Sequence, residues 1–214
     1  QAWSSAASDV YKRQGYISVK GEFSNGLKTG IWETFNENGD IFSIGKYVND
    51  YQNGNWKFFH NSGNLSLEGI FKNGYESGQW ISYYDGGELD EIGEYINGLK
   101  DGKWGRFHVG GSLKQEEIYK LGKLIEVSDF YLSDGNVLKN ETFDNGNGEL
   151  FDYYEDGNIF SIAKYKNGLL NGMYSEYHTN GKISQSGMYK NGEKSGTWNE
   201  YNRRGGEIKR KTYD

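Results

Sequence analysis

The sequence predicts an all-β protein, an elongated antiparallel array of β-hairpins, and three observations carry that prediction. A 24-residue outline recurs about eight times, with units opening at Gly21, Gly45, Gly69, Gly93, Glu117, Glu141, Ala163 and Gly187. Turn-forming tetrapeptides such as "ENGD", "NSGN", "EDGN" and "TNGK" alternate with "NGLKTG"-type returns, two reversals in each unit. The apolar content is low and ring-rich: 35% of residues are hydrophobic and 16% aromatic, beside 32 glycines and no proline. A chain this poor in aliphatic residues gains a core only when rings of one copy pack on the next.

Each unit reads as two strands. Counting from the opening residue, the outline is G-x-[YF]-x-N-G-x-x-x-G-x-W-x-x-[YF]-x-x-x-G-x-[IL]-x-x-x. The third slot is aromatic throughout: Phe23, Tyr47, Phe71, Tyr95, Tyr119, Phe143, Tyr165 and Tyr189. The twelfth holds Trp32, Trp56, Trp80, Trp104 and Trp198, which are expected to be structural core. Along the second strand, the Ile/Leu slot, the opening Gly and the third-slot ring are separated by even numbers and share a face. Glycine in that strand would leave room for a neighbouring ring to lie over the backbone.

The array is expected to occupy residues 15–214. About sixteen strands at ~4.8 Å would extend about 75 Å. Residues 1–14, "QAWSSAASDVYKRQ", share no pattern with the rest and are expected to be a loose, non-repeat tail. They resemble a translated library adapter, which would place the native N-terminus, and any export signal, beyond this sequence. The fifth unit has Glu126 and Ser128 where Gly and Trp are usual, and the sixth is two residues short. Weaker coupling is expected there.

Composition narrows the chemistry. With no cysteine, the chain has no disulfide, no thiolate nucleophile and no Cys-based zinc site. A net charge of −6 with dispersed lysines gives no electrostatic footprint for nucleic acid or for an anionic membrane. No segment has the length and apolarity of a spanning helix, and a cytoplasmic location is favoured. His60, His108 and His178 all occupy slot sixteen of separate units, the nearest pair four strands or roughly 19 Å apart, so they cannot share a metal. No cofactor or metal is expected. Asp90, Glu91 and Glu94, or Glu116 and Glu117, alternate faces along strands and mix with lysines, which reads as solvated strand charge rather than a glycosidase pair. The N-G-x-x-x-G turns lack the Lys-Ser/Thr and the helix of a phosphate loop. Lys209, Arg210 and Lys211 read as charges that block edge-to-edge association.

The pattern Y-x-N-G-x-x-x-G-x-W-x-x-Y-x-x-x-G resembles the MORN repeat (membrane occupation and recognition nexus), in the variant common among bacterial YwqK-type antitoxins, over residues 15–214. The resemblance implies an elongated hairpin array, non-enzymatic, that binds a protein partner, a toxin in the antitoxin case. A glycan-binding surface protein outside the cytoplasm is the alternative. For either partner the expected surface is a stripe of rings in slots fourteen and sixteen: Phe58, His60, Tyr84, His108, Phe130, Tyr154 and His178. Strand alternation, counted from a slot-fifteen ring on the core side, would put this stripe on the face away from the third-slot row.

Overall fold

The computed structural model describes residues 7–11 and 17–214. Every regular element among them is a strand: β1 (Ala7–Tyr11), β2 (Ile17–Ser24), β3 (Leu27–Phe35), β4 (Ile41–Val48), β5 (Tyr51–Phe59), β6 (Leu65–Lys72), β7 (Tyr75–Tyr83), β8 (Leu89–Ile96), β9 (Leu99–Phe107), β10 (Leu113–Lys120), β11 (Lys123–Val127), β12 (Phe130–Tyr131), β13 (Val137–Leu138), β14 (Phe143–Asp144), β15 (Asn147–Tyr153), β16 (Ile159–Lys166), β17 (Leu169–Tyr177), β18 (Ile183–Lys190), β19 (Glu193–Tyr201) and β20 (Glu207–Tyr213). Of the segment expected to be a loose tail, residues 1–6 and 12–14 lie outside the described residues; β1 within it pairs with β2.

The chain forms two compact units: residues 1–100 with 107–111, and residues 101–106 with 112–214. In the first, β1 to β8 pair antiparallel, each with the next. In the second, β10 pairs with β11, β12 with β13, and β14 to β20 each with the next. The irregular stretch predicted for the fifth and sixth repeats therefore coincides with short elements. β12, β13 and β14 have two residues each, where β4 and β6 have eight.

Two turn types join the strands, and the sequence dictates both. At Asn25-Gly26, Asn73-Gly74 and Asn97-Gly98 both central residues have positive φ, the type I′ geometry that asparagine followed by glycine tolerates best. At the other end of the hairpins, Gly39, Gly63 and Gly87 take positive φ, and their amides bond the carbonyls of Asn36, His60 and Tyr84.

The core of the first unit is a row of indoles on one sheet face. Trp32, Trp56 and Trp80 are almost fully buried, and a Cβ built on Gly21, Gly45 or Gly69 would overlap the indole of Trp32, Trp56 or Trp80 respectively. Third-slot rings fill the gaps edge-on. Phe23, Trp32, Tyr47, Trp56, Phe71, Trp80 and Tyr95 form an unbroken series of T-shaped contacts with centroids 4.9–6.1 Å apart. Each indole N–H is satisfied, by Thr29 O at 3.0 Å, Lys46 O at 3.2 Å and Ile70 O at 3.2 Å. In the second unit Trp198 over Gly187 repeats the arrangement, and Trp104 is equally buried.

Candidate functional site

The expected ring stripe is not a single outward row. Register explains why: Trp32 lies opposite Gly45, and Trp56 opposite Gly69, so the even slots of one strand share a face with the odd slots of the next. Counting along one strand cannot reveal that. Slot fourteen therefore lies on the indole side, and Phe58 stacks on Trp56 at 5.9 Å and 28° and approaches Trp80 at 6.4 Å. Phe130, also in slot fourteen, is 1% exposed and meets Tyr153 edge-on.

Slot sixteen follows a register shift between slots fourteen and fifteen, as at Phe58/Phe59 and Ser82/Tyr83. Its side chains point along the array to the next repeat. His60 Nε2 donates to Tyr83 O at 2.8 Å, the Tyr84 hydroxyl to Phe107 O at 2.7 Å, the Tyr154 hydroxyl to Tyr177 O at 2.5 Å, and His178 Nε2 to Tyr201 O at 2.8 Å. His108 is 2% exposed. His60, Tyr84, Tyr154 and His178 staple successive repeats together, a role that the sequence signals by placing polar-tipped rings in that slot of these units.

The opposite ends of the hairpins are stapled too. Asp50 N bonds Lys28 O at 3.1 Å, Gly74 N bonds Gln52 O at 2.9 Å, and Gly98 N bonds Glu76 O at 2.9 Å. Beside these turns, Tyr51 and Tyr75 are each 60% exposed, and Leu27 and Leu99 are exposed as well. On the face away from the indoles, Asn55, Lys57, Glu68, Ile70, Gln79 and Ile81 line an open groove of about 420 Å³, with Ile70 exposed there and Ile31 exposed on β3. Sequence reasoning passed over both surfaces, although the seventh slot already reads Leu27, Tyr51, Tyr75, Leu99.

The second unit holds a polar cluster where the glycine and tryptophan slots are filled otherwise. Glu117 takes a glycine slot, and the pairs Leu150–Ala163 and Ala163–Tyr174 stand where Trp–Gly pairs stand elsewhere. Arg106 fills the resulting space, 3.0 Å from Asp152, 3.7 Å from the buried Glu117 and 3.4 Å from Gln115. Tyr119 donates its hydroxyl to Glu117 at 2.8 Å. A cavity of about 150 Å³ lies between these side chains and Ser161, Tyr165 and Tyr174. Burial pushes the Tyr165 phenol well above its ordinary range, with Glu117 adding to it. Burial, followed by the charge of Glu176, pushes Tyr174 up to about 12. At neutral pH both phenols stay protonated, and the single Arg106 guanidinium bridges two carboxylates, so the cluster works as a polar plug. Among the described residues no three His, Cys, Asp or Glu side chains converge as metal ligands.

The sequence profile of the MORN repeat variant matches residues 28–49, 52–73, 76–97, 147–167 and 170–191, about half of the chain. The chain belongs to the MORN repeat family. The matched segments run from one type I′ turn to the next, so each contains one indole or its substitute and its share of both staples. The match passes over 98–146, the stretch that contains the short β11 to β14. No curated protein matches the chain. MORN arrays are repeat scaffolds, generally non-enzymatic, that serve as protein or membrane-lipid interaction modules.

Proposed function

We propose that this MORN array is a non-enzymatic protein-binding scaffold, antitoxin-like in holding one folded partner, with the groove face of the first unit as its contact surface. One observation carries the reading: the indole row absorbs the rings into the core, while on the opposite face Ile70 stands exposed in the groove and Ile31 stands exposed on β3. Exposed aliphatic side chains rimmed by charge are what a protein partner desolvates. Across that face Lys57 and Glu68 sit 3.7 Å apart on adjacent strands, a rim that fixes register more than affinity. The test is affinity capture with the immobilised chain beside its Ile31→Glu and Ile70→Glu variants, using the protein encoded next to it in the genome as prey. Retention by the wild type alone supports the reading; equal retention by both variants, or none by the wild type, overturns it.

The exposed Tyr51 and Tyr75 rings, one repeat apart beside asparagine-rich turns, favour a second reading, a neutral glycan stacked on those rings. Titration with soluble neutral oligosaccharides, read as chemical-shift changes at the two tyrosines, decides it.

A further inference from the structure

The edge of the first unit formed by the type I′ turns has an order of side chains that its repeats do not require. Reading across the sheet, the residue at that edge is Leu27 on β3, Val48 on β4, Tyr51 on β5, Lys72 on β6, Tyr75 on β7, Ile96 on β8 and Leu99 on β9. All seven are exposed. The series is the same from either end: leucine, β-branched aliphatic, tyrosine, lysine, tyrosine, β-branched aliphatic, leucine. It stops at both sides, since β2 ends in Ser24, and the corresponding slots of the fifth repeat hold Lys120 and Lys123.

We infer that this edge is a self-association surface, and that its occupant is the same edge of a second copy of the chain, run antiparallel about a two-fold axis at Lys72. A two-fold interface requires a self-complementary patch, and a palindromic row is the simplest one. With strands ~4.8 Å apart, the seven residues span about 29 Å. Superposing the row on its reverse sets Leu27 against Leu99, Val48 against Ile96 and Tyr51 against Tyr75 of the other copy. The platform is preorganised. Tyr51 rests against Gly74 and Tyr75 against Gly98, where an added Cβ would stand 3.2 and 3.3 Å from each ring, and the turn-to-turn hydrogen bonds hold the hairpin ends in line.

Lys72 sets the strength. On the axis it meets its own copy, a like-charge contact that weakens the pair and is relieved as salt screens it. Its carbon stem lies among four tyrosine rings, a setting that suits a lysine. Six apolar side chains per copy give a total interface on the order of 1,000 Å², at the low end for a specific complex, so the dimer is weak and reversible. This row adjoins the groove on the same face, Lys72 lying two residues beyond Ile70 on β6, but the two are tested by different residues: Ile31→Glu and Ile70→Glu probe the groove, and the tyrosine and lysine changes probe the edge.

Sedimentation equilibrium on the full chain at about 100 µM, a concentration at which a reversible dimer of micromolar Kd is populated, tests the inference. A monomer–dimer equilibrium that tightens with added salt is expected, as is a several-fold tighter dimer with less salt dependence for Lys72→Gln. The double variant Tyr51→Ser, Tyr75→Ser should be monomeric with an unchanged circular dichroism spectrum. Because the chain has no cysteine, a second measurement stands even if that variant misfolds. Lys72→Cys on the axis should cross-link to a covalent dimer under mild oxidation, whereas Ser62→Cys at the other hairpin end should not. A wild type that stays monomeric, a dimer insensitive to the tyrosine changes in a folded variant, or equal cross-linking at the two cysteines overturns the inference.

Discussion

Replacing Gly69 by alanine tests the core directly, because the structure supplies both the clash and the means to remove it. Gly69 has no left-handed backbone requirement, so any cost must come from what its side chain would meet. That neighbour is the Trp80 indole, which is fixed edge-on by Phe71 at 4.9 Å and by its N–H bond to Ile70 O at 3.2 Å. The ring cannot withdraw without losing both contacts, so Gly69→Ala should cost about 2 kcal/mol, the usual range for overpacking. Trp80→Ala alone should cost about 3 to 5 kcal/mol for an indole that is 4% exposed. With Trp80 already alanine, the new methyl group enters vacated space, and Gly69→Ala should be neutral or slightly stabilising. The double-mutant cycle then yields a coupling of about 2 kcal/mol. Urea unfolding followed by far-UV circular dichroism reads all four proteins. If Gly69→Ala costs the same in both backgrounds, glycine is needed for backbone reasons and the indole-over-glycine account fails.

Arg106→Ala should destabilise the second unit by about 3 kcal/mol, because Glu117 is left buried without its counter-charge, and Glu117→Gln should recover part of the loss in urea unfolding. Tyr84→Phe removes the hydroxyl bond to Phe107 O and should cost about 1 kcal/mol without altering the circular dichroism spectrum. Amide hydrogen exchange should be faster across 121–150 than in the strands β4 to β7, and equal protection would refute weak coupling in the fifth and sixth repeats. Tyr174 ties pH to stability. Its folded value of about 12 lies above the unfolded value of 10.0, so its contribution is complete below pH 10 and is lost as pH rises from 10 through 12. Tyr174→Phe should flatten the fall in melting temperature over that window.

Much of the fold was legible because a 24-residue period places the same residue type at the same point of every hairpin. Asn25-Gly26 and its copies announced the turns, and Trp32 with Gly21 announced a ring lying over a strand. The faces were harder to read. Alternation places Phe58 and Trp56 together, but only the cross-strand register of Trp56 with Gly69 fixes which parity of the neighbouring strand joins them. Slot sixteen misled for a related reason. Tyr84 and His60 look like recognition rings in sequence, and only the register shift before slot fifteen turns them toward the next repeat's carbonyls. The Arg106 cluster left a fainter trace, as Glu117 in a glycine slot and Asp152 beside a slot that lacks tryptophan. Such isolated departures resemble drift until the structure brings them within 4 Å.

The staples at the two hairpin ends also limit how such a chain can change in length. In the first unit each staple joins positions a fixed number of residues apart: Gly74 to Gln52 and Gly98 to Glu76 at one end, His60 to Tyr83 and Tyr84 to Phe107 at the other. Gain or loss of one whole repeat leaves every donor with an acceptor, whereas any other step leaves donors facing the wrong carbonyl. Near the shortened sixth repeat the ladder of turn amides slips by one residue, Gly146 bonding Ile125 O, and Leu124 bonds Gly168 O besides. By Gly192, bonded to Leu170 O, the regular spacing has returned. A gene of this kind can therefore lengthen freely by copying whole repeats, while a two-residue deletion is tolerated only where nearby strands can shorten and let the ladder find a new step.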